Sequence, residues 1–116
     1  MTETQKFTQA DWQRFPDTWR GSISGAKMGT EITLVFYETE EIGKGPVLHT
    51  HPYTETFIVI EGYGRYQVGD QVIDAKAGDV LIGPPDVPHR FSNLGPGRLR
   101  TVDIHHSPDW IQKDLE

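Results

Sequence analysis

His49 and His51 stand one residue apart in the run Gly43-Lys44-Gly45-Pro46-Val47-Leu48-His49-Thr50-His51-Pro52-Tyr53-Thr54-Glu55. In extended chain both imidazoles leave the same face, roughly 7 Å apart at the backbone. Neutral imidazoles so placed can converge on one cation at roughly 2.0–2.2 Å each. Glu55 follows just past the bend at Pro52, and its carboxylate reaches the same centre if the next strand runs back beside the first. A His-X-His pair alone is weak evidence, because exposed or hydrogen-bonded histidines are common. Glu55 strengthens it. On a strand, this carboxylate shares a face with Phe57 and Val59, where an unpaired charge is costly to bury and calls for a cation or a proton.

A second segment, Gly78 to Asn93, places His89 on a strand face with Phe91. Three of the five histidines and one glutamate can therefore meet inside a barrel. Three nitrogens and one oxygen suit one divalent transition ion per chain, Fe, Mn, Ni, Cu or Zn. Six-coordination would leave positions open for water or a small-molecule substrate.

The elements that must position these groups read as strands. Glu31–Glu38, Val47–His51, Glu55–Glu61, Gly64–Val68, Gln71–Ala75, Asp79–Gly83, Pro88–Asn93 and Arg98–His106 are short runs with turn clusters between them. Gly69-Asp70 is a two-residue hairpin signal. Such spacing predicts an all-β sandwich or barrel. In Glu55–Glu61 both faces are apolar, Phe57 and Val59 on one and Ile58 and Ile60 on the other. A barrel strand needs one dry face, so the second predicts cover by another segment or a second subunit, hence a homodimer. Before the barrel, Trp12, Phe15 and Trp19 are spaced to align on a helix, but Pro16, Gly21, Gly25 and Gly29 prevent a long one. They read as a short helix or turn whose aromatics plug an open end of the core or meet a partner. After it, Ser107-Pro108-Asp109-Trp110 has helix-start grammar and predicts one or two helical turns with Trp110 or Leu115 packed down.

The two motif-bearing segments together resemble the cupin family of small single-domain proteins. Its first motif, G-x5-H-x-H-x(3,4)-E-x6-G, is matched by Gly43, His49, His51, Glu55 and Gly62. Its second, G-x5-P-x-G-x2-H-x3-N, is matched by Gly78, Pro84, His89 and Asn93, with Asp86 where the motif has glycine. Asp tolerates the left-handed region better than most residues, so the turn should survive. The length fits a single domain over 1–116, read as an irregular N-terminal extension over 1–30, a barrel over 31–106 and a short C-terminal helix over 107–116; the resemblance implies that the barrel is a cupin-type double-stranded β-helix (jelly-roll) of two antiparallel sheets. It also implies that His49, His51, Glu55 and His89 ligate a metal, and that the protein dimerises.

Other residues carry weaker signals. Tyr53 lines the mouth of the site or simply packs. Arg65 or Arg90 receives an anionic substrate or lies solvated on the surface. If Val102 and Ile104 face inward, His106 joins them; the opposite register puts His105 inside as a general base or a hydrogen-bonded core histidine. Three functions fit: a dioxygenase-like oxidoreductase acting on a small molecule, a redox-neutral isomerase, cyclase or decarboxylase, and a non-catalytic ligand-binding module.

Composition narrows the classes further. With no cysteine there is no disulfide framework, thiolate metal site or cysteine nucleophile. The net charge of −6 argues against a nucleic-acid partner. No run reaches the roughly 18 apolar residues of a membrane helix, and the first ten residues lack a signal peptide's apolar stretch. The expected location is cytoplasmic.

Overall fold

The computed structural model describes residues 3–116. In chain order the elements are α1 (Gln9–Trp12), β1 (Gly21–Ile23), α2 (Gly25–Met28), β2 (Thr33–Thr39), β3 (His49–Thr50), β4 (Glu55–Glu61), β5 (Tyr63–Val68), β6 (Gln71–Lys76), β7 (Val80–Gly83), β8 (His89–Asn93), β9 (Leu99–His105) and β10 (Lys113–Asp114). One sheet has the order β1-β2-β9-β4-β7 and the other β10-β3-β8-β5-β6. Every pairing is antiparallel, and most neighbours are distant in sequence: β9 lies between β2 and β4, and β8 between β3 and β5. The chain is thus an all-β barrel of two facing antiparallel sheets. No helix among the described residues is long and apolar enough to cross a membrane.

Period-two burial drives the sheets together. On β4, Glu55, Phe57 and Val59 are buried; on β9, Leu99, Thr101, Asp103 and His105 are. Phe57, Val59, Tyr66, Val68, Ala75, Phe91 and Leu99 form one contiguous core between the sheets. Each large apolar side chain removed from water contributes roughly 1.5–3 kcal/mol. The β5–β6 hairpin turns at Gly69-Asp70, with Val68 opposite Gln71 and Gly69 at φ 58°. A positive φ at the first turn residue is what a two-residue hairpin of the Gly-X kind requires.

Polarity changes along the barrel axis. Val59 faces Thr101, Phe57 faces Asp103 and Glu55 faces His105 across the β4–β9 ladder. The interior therefore runs from an apolar floor to a polar end, and the strands β3, β4, β8 and β9 deliver titratable groups to that end.

Two expectations at the termini are corrected. Residues 107–116 form no helix. Ser107 Oγ accepts from the Asp109 N–H at 3.2 Å, after which the chain extends and β10 pairs with β3. Ten residues make a marginal helix, whereas the open edge of β3 offers backbone partners, such as Leu48 C=O to Leu115 N–H at 2.8 Å. Trp110 and Leu115 stay 47% and 44% exposed. At the N-terminus α1 stops at Trp12, so its aromatics do not share a helical stripe. Trp12 stacks face to face on Phe36 at 3.7 Å and Trp19 meets Phe36 edge-on at 5.4 Å. They cover the outer face of the first sheet at β2 and not an open end of the core; Phe15 is 53% exposed.

Candidate metal centre

The four residues singled out by spacing come together. His49 lies on β3 opposite His89, the first residue of β8; His51 follows β3, and Glu55 opens β4. All four are buried, and their candidate ligand atoms lie within 4.8 Å of one another. Glu55 Oε1 is 3.0 Å from His51 Nε2 and 3.1 Å from His89 Nε2. Bonds of about 2.1 Å at right angles put neighbouring ligand atoms about 3 Å apart, so these spacings suit an ion. Asp86 adopts φ 63°, and its N–H bonds to His51 C=O at 2.8 Å. The left-handed turn survives without glycine and helps to hold the chain at His51.

Backbone carbonyls set the polarity of the three imidazoles. His49 Nδ1 faces Val47 C=O, His51 Nδ1 faces Ile111 C=O at 2.8 Å, and His89 Nδ1 faces Val87 C=O at 3.3 Å. A carbonyl only accepts, so neutral His49 and His51 carry the proton on Nδ1 and present a lone pair at Nε2; His89 has an acceptor at each nitrogen, Val87 C=O at Nδ1 and Glu55 Oε1 at Nε2, and a cation at Nε2 would leave its proton on Nδ1. His51 Nε2 has no hydrogen-bond partner among the described residues despite its closeness to Glu55. A lone pair beside a carboxylate oxygen is repulsive until a cation lies between them. The donor set therefore fits a divalent transition ion.

Electrostatics agree. Burial alone would raise the Glu55 pKa, but hydrogen bonds from the facing imidazoles of His105, His51 and His89, donated when these rings are protonated, outweigh it and hold the carboxyl well below its ordinary value, in the same sense as a cation at that point would. Burial lowers the His49 pKa; the Val47 carbonyl opposes this, and His89 and His51 add to it. His49 thus keeps its lone pair at neutral pH.

The register of β9 is the one that puts His105 inside. His105 is 2% exposed, with Nε2 3.5 Å from Glu55 Oε1 and Nδ1 2.7 Å from the Tyr53 hydroxyl. His106 faces outward and bonds to Thr56 Oγ1 at 2.8 Å. Tyr53 stacks on His51, ring centres 5.0 Å apart. Arg65 and Arg90 are not brought to the site: Arg65 pairs with Asp74 at 2.8 Å and Arg90 with Glu116 at 3.1 Å, both on the surface.

Three contributors were not anticipated. Asp103 is fully buried; its Oδ2 accepts from Thr101 Oγ1 at 3.2 Å while Oδ1 has no partner among the described residues. Burial first, then the Glu55 charge, raise its pKa well above the ordinary value, which favours its neutral form. Its alternation with His105 was the available signal. Gly83 lies beneath the site and Ile111 acts through its backbone, for which no side-chain pattern exists.

This barrel and its buried three-histidine, one-glutamate group define a class: the chain belongs to the cupin family, whose domain matches residues 36–105. It is 38% identical over 61 residues to the polyketide synthase CurC of Streptomyces cyaneus, covering 52% of this chain and 39% of that one. The curated relatives are longer, and the matched stretches span 39% to 65% of their length. Among solved structures it resembles a conserved protein with a double-stranded β-helix domain from Klebsiella pneumoniae (TM-score 0.75, 23% identity, 98% of this chain and 99% of that one). It also resembles the Bacillus subtilis oxalate decarboxylase, studied for its Mn(II) centres (TM-score 0.75, 22% identity, 82% of this chain and 27% of that one). At these identities the two structures establish the fold alone.

Proposed function

We propose that this cupin is a metal-dependent enzyme of the dioxygenase type, acting on a small molecule with two closely spaced oxygens. His49, His51, Glu55 and His89 are its metal ligands. The observation that carries the reading is the arrangement of the site: three imidazoles whose Nδ1 atoms face the carbonyls of Val47, Ile111 and Val87 gather with the Glu55 carboxylate so that their candidate ligand atoms lie within 4.8 Å of one another. A bound divalent ion of Mn or Fe would supply Lewis acidity and one-electron chemistry with O₂. Phe57, packed edge-on against the His89 ring at 5.1 Å, helps to keep water from the ligands. Support for paired substrate oxygens comes from the names of the relatives, a polyketide synthase and an oxalate decarboxylase. β-Keto compounds and dicarboxylates both present two oxygens suited to adjacent positions on one cation.

One observation favours a redox-neutral reading as the alternative: Asp103, whose neutral form is favoured inside the barrel, has a proton to give to a carbanion or enolate. Protein loaded with Mn(II) or Fe(II) and offered β-diketones and dicarboxylates separates the cases. Stoichiometric O₂ uptake is the expected result. Turnover that persists without O₂ selects the redox-neutral reading, and tight binding without turnover selects a ligand-binding module. The protein is further proposed to act as a homodimer through the outer face of the first sheet, where Ile60, Val80 and Ile82 are 47%, 59% and 54% exposed.

A further inference from the structure

We infer that the backbone of Ile111, acting through Tyr53, fixes His105 as a hydrogen-bond donor that positions the Glu55 carboxylate, and so withholds it as a fifth ligand. This rests on reading His49, His51, Glu55 and His89 as the ligands.

Distance alone leaves the role of His105 ambiguous. Its Nε2 stands 3.5 Å from the same Glu55 oxygen that His51 and His89 approach. A fourth imidazole so close would ordinarily count as a candidate ligand. The direction of the surrounding hydrogen bonds decides otherwise. The Ile111 N–H lies 3.2 Å from the Tyr53 hydroxyl and can only donate, so the phenolic oxygen accepts there. The hydroxyl's own hydrogen then serves its other partner, His105 Nδ1 at 2.7 Å. The phenolic oxygen could accept a second time, but its hydrogen has no other acceptor among the described residues, which makes Nδ1 the acceptor. A neutral imidazole that accepts at Nδ1 carries its proton on Nε2, the atom facing Glu55. His105 has no lone pair to offer an ion there; its N–H faces the carboxylate oxygen at 3.5 Å, the long limit of a hydrogen bond.

The three ligand imidazoles have the opposite polarity, because their Nδ1 atoms meet carbonyls. Ile111 takes part in both arrangements: its C=O holds the proton-bearing Nδ1 of His51, and its N–H starts the chain through Tyr53 to His105 and Glu55. One residue of the C-terminal segment thereby sorts two neighbouring histidines into a ligand and a donor. The segment is held in place by β10 on β3, by Leu115 N–H on Leu48 C=O, and by Trp110 packed edge-on against His105 at 5.0 Å. A donor on Glu55 Oε1 restrains the carboxylate's rotation, and partners of this kind typically affect metal affinity 10–100-fold.

The test begins with the unmutated chain, labelled with ¹⁵N and loaded with diamagnetic Zn(II) at about pH 8, above the ordinary imidazole range. Long-range ¹H–¹⁵N correlations should show His105 protonated at Nε2, and His49, His51 and His89 protonated at Nδ1. His105 protonated at Nδ1, or bound to Zn(II) through Nε2, overturns the inference. Zn(II) titrations supply a second readout: Tyr53→Phe and His105→Leu should each weaken binding about tenfold, whereas His105→Gln, which keeps an N–H donor, should stay within about threefold of wild type. Unchanged affinity in His105→Leu also overturns it. Should the unmutated chain take up no Zn(II), the ligand reading fails separately, and the His105 tautomer in metal-free protein still decides the donor assignment.

Discussion

Gly83 lies directly across the first sheet from Glu55. A Cβ there would stand 2.9 Å from Phe57 Cε2, 3.1 Å from Phe57 Cζ and 3.3 Å from His89 Nδ1. The missing side chain is thus the space in which the Phe57 ring and the His89 imidazole pack. The site depends on a residue that touches no ion.

Gly83→Val should therefore overpack the barrel, destabilising it by about 1–3 kcal/mol. It should also push His89 off its position and weaken Mn(II) binding. Thermal unfolding and Mn(II) titration measure the two effects. Loss of stability with unaltered affinity would show that Phe57 alone gives way and that His89 is not held by this contact.

His49→Ala combined with His51→Ala should remove metal binding while leaving a β-rich fold. The barrel core, from Phe57 to Leu99, contains neither residue. Metal analysis after dialysis, with circular dichroism on the same samples, checks both halves. Equal occupancy in the double variant and the wild type would count against the ligand assignment.

The gathering of His49, His51, Glu55 and His89 was legible in the sequence because strand geometry converts spacing directly into side-chain direction. Glu55, Phe57 and Val59 alternate as a half-buried strand should, and β4 covers the predicted residues. The turn at Asp86 was legible for a related reason, since few residues other than glycine accept its φ of 63°. The register of β9 was not. Val102 and Ile104 are apolar, yet they face outward, while Thr101, Asp103 and His105 face in. Polar residues line the interior at that end, and the outer sheet surface has its own apolar cover in Trp12, Trp19 and Phe36. Where both faces of a strand are dry, hydrophobicity cannot choose between them. The C-terminal segment misled through its start signals, Ser107 and Pro108, because its fate is decided by the unpaired edge of β3. The role of Ile111 lies wholly in its peptide groups, which every residue but proline carries.

Ile58→Asp should convert the proposed dimer to monomer or aggregate. Ile58 lies opposite Val80 on β7 and Val102 on β9, at the centre of the outer apolar face. A carboxylate placed there would be desolvated on association without a partner, a penalty of several kcal/mol. Size-exclusion chromatography with light scattering reads the outcome, and an unchanged dimer would place the interface elsewhere.

Asp103→Asn tests the neutral acid inside the barrel through the pH dependence of stability. Burial first, and the charge of Glu55 second, raise the folded value above the unfolded one. Between the two values the folded chain keeps a proton that the unfolded chain has released. The contribution of Asp103 to stability is therefore complete below its unfolded value of about 3.9, and is lost as pH rises through the folded value. Asparagine is neutral at every pH and imposes no such loss. In chelator-treated protein the variant should gain on the wild type as pH rises from about 4 towards 8, whatever its absolute stability. Glu55 works in the reverse sense, because its folded value is lowered: its contribution is present above the unfolded range and disappears in acid. Both proteins share that acid-side loss, so it largely cancels in the difference between their unfolding curves. A difference that stays flat across the series would mean that Asp103 is ionised in the fold, and the proton available for the redox-neutral chemistry would be gone.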